Sequence, residues 1–188
     1  MKATSGPLPT GDEWVYEVKW DGMRVLVDVT PGGVQAWSAN GHDATASFPE
    51  LGALAEALAP VEATLDGEVV ALDADGRPSF ERLQGRMHVT SAVEAARRAV
   101  DTPVAYVVFD LLRLAGHDLT ARPWHERRRL LDQLADDLPP GIDVAPVYDD
   151  GDSLLEAARE RALEGVVAKR ADAPYVPGAR SRAWVKAK

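Results

Sequence analysis

Lys19 stands in the string Glu17-Val18-Lys19-Trp20-Asp21-Gly22-Met23-Arg24, a Lys-x-Asp-Gly-x-Arg pattern between two apolar alternating runs. A lysine can serve as a covalent nucleophile only as the free amine, which requires a desolvated or cation-rich site that lowers its pKa. Asp21-Gly22 reads as a tight hairpin turn, because Asp tolerates turn geometry and Gly accepts positive φ. Such a turn would hold Lys19 at the end of a strand. The same string also describes a plain hairpin, Val15 to Val18 and Met23 to Val29, with an idle exposed lysine. The rest of the chain decides between the two.

Three later stretches again pair a strand with charged residues. Leu65-Asp66-Gly67-Glu68-Val69-Val70 puts a carboxylate at the start of an apolar run. Glu164-Gly165-Val166-Val167-Ala168-Lys169 puts a carboxylate and a lysine at opposite ends of a short buried strand. Trp184-Val185-Lys186-Ala187-Lys188 has period two, which places both lysines on one face. Between these lies Tyr106-Val107-Val108-Phe109-Asp110-Leu111-Leu112, a strand that carries an aromatic residue at its end.

In that order the motifs resemble the nucleotidyltransferase domain of ATP-dependent DNA ligases, most closely the ligase domain of bacterial non-homologous end-joining ligases. The resemblance runs from about Trp14 to the last residue. It implies an α+β fold with two mainly antiparallel sheets and flanking helices around an ATP cleft. It also implies that Lys19 takes AMP from ATP as a phosphoramidate, with Asp21 required by the pattern. Glu17 and the backbone at Val18 would lie by the adenine, Phe109 would stack on the purine, and Arg24 would sit near the ribose and phosphate. Glu68 would contact the ribose or support a metal-bound water, and Glu164 would help hold the metal. Lys169, Lys186 and Lys188 would contact phosphates.

The chemistry accounts for these residue types independently. Attack on the α-phosphate of ATP builds charge on the phosphoryl oxygens and on departing pyrophosphate, which positioned lysines, an arginine and a metal stabilise. Glu68 and Glu164 are hard oxygen ligands suited to Mg²⁺ or Mn²⁺, and few protein carboxylates are needed when phosphates complete the shell. A lone Asp-Gly-Glu more often marks an exposed carboxylate beside a turn. The ordered set of motifs reverses that preference.

Two departures from the family pattern stand out. In Trp37-Ser38-Ala39-Asn40-Gly41, Ala39 occupies the place of an arginine associated with the 5′-phosphate at a nick. Alanine cannot make a bidentate phosphate contact, so either nick recognition suffers or Arg24 or Arg86 compensates. The string also ends at Lys188, where the family continues into an oligonucleotide-binding (OB-fold) barrel. Without it, slow self-adenylation and weak binding to nicked or broken duplex DNA are expected. Two other functions remain open: RNA ligation or mRNA capping, which share the Lys-x-Asp-Gly chemistry, and a degenerate module that binds nucleotide or DNA without reacting. The strings Phe109-Asp110-Leu111-Leu112 and Leu83-Gln84-Gly85-Arg86 favour DNA ligation.

The elements that must position these residues form a mixed pattern. Residues 1–13 read as a flexible arm before a domain over 14–188. Strands are expected over Trp14 to Trp20, Met23 to Thr30, Val34 to Ser38, Ala63 to Leu72, Val104 to Leu112 and Val144 to Val147. Helices are expected from Pro49 to Pro60, at Phe80 to Gln84, from Ser91 to Val100 with Ser91 as cap, over Pro123 to Leu134 and over Ser153 to Leu163. The 188 residues suffice for one domain or two small lobes. No cysteine is present, which excludes disulfides and thiolate metal sites. The four histidines lack ligand spacing and read as surface residues. No apolar run is long enough for a membrane span and no signal-peptide pattern is present, so a cytoplasmic, nucleoid-associated monomer is expected. The net charge of −9 is awkward for a DNA-binding protein. Basic clusters at Arg122 to Arg129, Lys169-Arg170 and Arg180 to Lys188 could still give a local basic face, although Arg127-Arg128-Arg129 reads as a solvated helix surface. A repair polymerase or a Ku-like partner would lie outside these residues.

Overall fold

Strict alternation in Met23–Thr30 produces a strand in which Met23, Val25, Val27 and Val29 are buried and Arg24, Leu26 and Asp28 lie on the other face. A computed structural model, which describes all 188 residues, builds the fold from strands of this kind. In chain order they are β1 (Lys2–Ser5), β2 (Trp14–Val18), β3 (Met23–Thr30), β4 (Gly33–Ser38), β5 (Ala63–Ala71), β6 (Val104–Leu114), β7 (His117–Asp118), β8 (Ile142–Val144), β9 (Val166–Arg170) and β10 (Arg180–Ala187). The helices are α1 (Ala53–Ala57), α2 (Phe80–Gln84), α3 (Ala92–Asp101), α4 (Trp124–Leu134) and α5 (Gly151–Glu160).

The strands form two sheets. One has the order β1-β10-β9-β2, and the other β4-β3-β5-β6-β7, with β8 also paired to β6. All pairings are antiparallel except β1 with β10 and β6 with β8. The larger core joins Val25, Val27, Leu65, Val69, Val108 and Leu111 to Phe48, Leu54, Leu83 and Leu131 from the helices and loops. Helices α1 and α2 have only five residues each. Isolated helices of that length are unstable in water, so burial of Leu54 and Leu83, worth about 1.5–3 kcal/mol each, must hold them. Helix α5 covers the outer face of the smaller sheet, where Leu154 and Ala158 meet Tyr16, Val166 and Ala168.

Several expectations change. Asp21-Gly22 is no hairpin turn: β2 pairs with β9, while β3 pairs with β4 and β5, so residues 19–22 cross from one sheet to the other. Gly22 serves close approach, since a Cβ there would lie 2.2 Å from the Val69 carbonyl oxygen. The N-terminal arm is not loose. Lys2–Ser5 is a strand paired to β10, and Met1 is buried against Leu112, Tyr175 and Trp184. The Pro49 helix is split into a 3₁₀ turn over Pro49–Gly52 and α1. The strand expected at Val144 to Val147 lies at Ile142–Val144, and α5 starts earlier because Asp150 caps it by accepting from the Ser153 N–H. Ser91 caps α3 as expected, accepting from the Glu94 N–H.

Arg127 is not on a solvated face. It is fully buried and holds both oxygens of buried Asp110, with Nε–Oδ1 2.7 Å and Nη2–Oδ2 2.8 Å. Its Nη1 donates to the carbonyls of Arg122 and Ala173. All four histidines are exposed.

Candidate active site

The two sheets face each other across a cleft with about 600 Å³ of empty space, part of it open to solvent. Its walls carry Ala3 from β1, Glu17 and Val18 from β2, Lys19 and Trp20 from the crossover, and Arg24 from β3. Glu68 from β5, Phe109 from β6, Val167 and Lys169 from β9, and Trp184 and Lys186 from β10 complete the lining.

Lys19 is the first residue beyond β2, and its N–H donates to the Gly165 carbonyl at 2.8 Å. Gly165 has φ +142°, and a Cβ there would come within 2.1 Å of the Ala187 oxygen. That tight passage brings three chain segments together. The Lys19 ammonium donates to Glu164 Oε2, and Lys188 Nζ lies 2.7 Å from Glu164 Oε1. Burial pushes the Glu164 carboxyl upward, but hydrogen bonds from Lys188 and Lys19 outweigh it and hold the carboxyl below its ordinary range. Asp21 is half-buried beside this cluster, where its charge acts on Lys188. It does not line the cleft.

The other cleft cations are mostly engaged as well. Lys169, 1% exposed, donates to Glu17 at 2.8 Å and to the Phe109 carbonyl at 3.2 Å. Its Nζ also lies 4.5 Å from the Phe109 ring centroid and 4.6 Å from that of Trp184, within cation–π range. Burial raises the Glu17 carboxyl against the opposing pull of Lys169. Arg24 holds Asp66 through Nε at 2.9 Å and Nη2 at 2.6 Å. Lys186 lines the cleft without a carboxylate partner, so its ammonium is open to a phosphate. The expected phosphate contact by Lys169 requires it to leave Glu17.

Phe109 reaches the cleft through a bulge. Asp66 pairs with Asp110 and Gly67 with Val108, which leaves Phe109 as the extra residue of β6. A bulge of this kind re-aims a side chain, and here it turns the ring toward Trp184, edge to face at 5.9 Å.

Glu68 stands apart, because the cleft's ion pairs leave it out. Burial lifts its carboxyl to about 8; Lys19 and Arg24 oppose the rise, while Asp66 and Glu164 add to it. The folded value lies above the ordinary 4.5. The stability this group contributes is therefore full below about pH 4.5 and is lost as pH rises through about 8. Glu68→Gln should accordingly raise Tm relative to the parent at about pH 9 and leave it nearly unchanged at about pH 4.5. Equal shifts at both pH values, measured by thermal melts, would refute this. No cluster of three or more His, Cys, Asp or Glu side chains forms a ready metal cage. A half-buried, unpartnered carboxyl on the cleft wall nonetheless suits a divalent cation that brings phosphate ligands of its own.

The sequence pattern of the family described as "ATP dependent DNA ligase domain" matches residues 7–188. The chain belongs to this family. It is 40% identical over its whole length to the multifunctional non-homologous end joining protein LigD of Mycobacterium bovis, and 34% identical over 98% of its length to the bifunctional LigD of Bacillus subtilis. It spans 23% and 33% of those relatives, respectively. Among solved structures it matches a mycobacterial DNA ligase D complexed with ATP and MES, with TM-score 0.85 and 39% identity, covering 98% of this chain and 58% of that one. An ATP-dependent ligase from bacteriophage T7 in complex with ATP, at 18% identity and TM-score 0.69, shares the fold.

This ligase domain brings Glu17, Val18, Lys19, Arg24, Glu68, Phe109, Lys169 and Lys186 to one cleft, with Glu164 and Lys188 attached through Lys19. Sequence reasoning missed Ala3, Trp20, Val167 and Trp184. Trp184 was accessible, since it shares the parity of Lys186. Nothing local pointed to Ala3, whose partner strand lies at the other end of the chain. Ala39 is exposed in the turn after β4, its N–H on the Arg24 carbonyl. Arg86 does not compensate for it. It is 1% exposed and bound to both oxygens of Glu50 and to the carbonyls of Ser47 and Thr102.

Proposed function

We propose that this domain adenylates itself on Lys19 and passes the AMP to a 5′-phosphate of nicked or broken duplex DNA. The observation that carries the reading is the convergence of Lys19, Arg24, Glu68, Phe109 and Lys186 on one cleft. The amine of Lys19, having given up its proton, forms a bond to the α-phosphorus of ATP, and the bond from that phosphorus to the bridging oxygen breaks to release pyrophosphate. An oxygen of the DNA 5′-phosphate then attacks the α-phosphorus and breaks the N–P bond. Attack by a 3′-hydroxyl on the activated 5′-phosphate closes the strand and expels AMP.

The cleft residues divide this work. Phe109 and Glu17 lie where a purine can stack and find an acceptor, and Arg24 faces the ribose and α-phosphate. Lys186, with Lys188 and Lys169 once released from their carboxylates, answers the charge of the triphosphate. Glu164 holds the resting Lys19 at the cleft wall. Glu68 and Glu164 would hold Mg²⁺ or Mn²⁺, which when bound supplies further positive charge to the phosphates. The relatives' involvement in end joining supports a Ku-like end-binding protein and a repair polymerase as partners, at the nucleoid.

Intact mass after incubation with ATP and either metal tests the first step. A single AMP adduct is expected, with none from GTP. No adduct with either metal would overturn the reading.

A further inference from the structure

Arg24 is held from three sides. Asp66, fully buried on β5, takes both Nε and Nη2. The Met1 carbonyl accepts from Nη1 at 2.5 Å. Tyr175, in the loop between β9 and β10, places its hydroxyl 3.1 Å from Nη2 and 2.8 Å from Asp66 Oδ2. The proton order is unambiguous: the phenol donates to the carboxylate and accepts from the guanidinium. Burial, then the charge of Asp66, holds the phenol well above its ordinary range, so it stays a donor.

Tyr175 itself is anchored. It is 5% exposed, and its N–H donates to the Thr120 carbonyl. Its ring meets Trp184 edge to face at 5.8 Å, and Trp184 meets Phe109 in the same way. The guanidinium lies 5.4 Å from the Phe109 ring centroid and 5.6 Å from that of Trp184. The loop after β9 thus touches both the charged and the aromatic wall of the cleft through one side chain that does not line the cleft.

We propose that Tyr175 is a positioning residue for nucleotide binding, its hydroxyl fixing the rotation of the Arg24 fork on Asp66 so that the guanidinium faces the phosphate end of the nucleotide. Asp66 alone leaves the fork free to tilt about the carboxylate. The hydroxyl, bonded to both partners, removes that freedom, and the Met1 carbonyl fixes the remaining nitrogen. This rests on the nucleotide site proposed above.

The test is calorimetric titration of ATP and of adenosine into protein carrying Lys19→Ala, so that no covalent transfer intervenes. Adding Tyr175→Phe keeps the ring on Trp184 and removes only the hydroxyl. It should weaken ATP about fivefold, the usual worth of one such hydrogen bond, and change adenosine by less than about twofold. In an Arg24→Lys background, where Asp66 keeps a cation but Tyr175 loses its second partner, the same change should have no further effect. Unchanged ATP affinity, equal losses for ATP and adenosine, or the same loss in both backgrounds would overturn the proposal and leave Tyr175 as packing. If the Lys19→Ala parent binds neither ligand, the nucleotide site itself fails and this proposal fails with it. That outcome is distinct from a failure confined to Tyr175.

Discussion

Lys19→Ala is expected to abolish the AMP adduct, by more than about a thousandfold in rate, while shifting Tm by no more than a few degrees. The lysine side chain is about one-fifth exposed. Its loss removes a bond to Glu164, but Lys188 still holds the other carboxylate oxygen. The fold therefore survives and the nucleophile does not. Lys19→Arg should be equally inactive, since a guanidinium stays protonated and cannot supply an amine. An adduct that persists in either variant would place the nucleophile elsewhere, and peptide mapping of the adduct would locate it.

Arg127→Ala should destabilise the domain by about 3–5 kcal/mol, because Asp110 would keep a buried charge with no cation against it. For a domain of this size that is a fall in Tm on the order of 10 °C. Asp110 adjoins Phe109 on the bulged strand, so adenylation at temperatures near the lowered midpoint should fall as well. Asp110→Ala combined with Arg127→Ala should recover part of the loss, since neither charge is then left unpaired. A single-variant loss below about 1 kcal/mol in denaturant unfolding would show that water reaches the pair.

Residue pattern was most informative where a strand alternates and where a cap is local. Met23–Thr30 and Phe80–Gln84 have the bounds that period and punctuation suggest, and Ser91 caps α3 as its sequence implies. Trp184 and Lys186 share the cleft face as parity implies, whereas Lys188 lies beyond the end of β10 and turns to Glu164 instead. What stayed hidden depends on long-range pairing. Asp21-Gly22 carries the chemistry of a turn, yet which sheet each flanking strand joins is set by β9 and β5, far along the chain. The strand at Lys2–Ser5 looks like an arm because its partner is β10. Arg86 and Arg127 look like surface charges until Glu50 and Asp110 are seen opposite them. The candidate site was legible as residue types in order. The engagement of its cations, with Lys169 on Glu17, Arg24 on Asp66 and Lys188 on Glu164, was not.

The pairing of β1 with β10 has a consequence for biosynthesis. The cleft takes Ala3 from β1 and Trp184 and Lys186 from β10, so it cannot form on the ribosome until residues 180–187 have emerged. Contacts that span nearly the whole sequence form late and slowly in folding. A nascent chain could complete the six-stranded sheet with its helices while β1 and β2 still wait for their partner strands. Nucleotide binding would then appear only once β10 has joined β1 and β9.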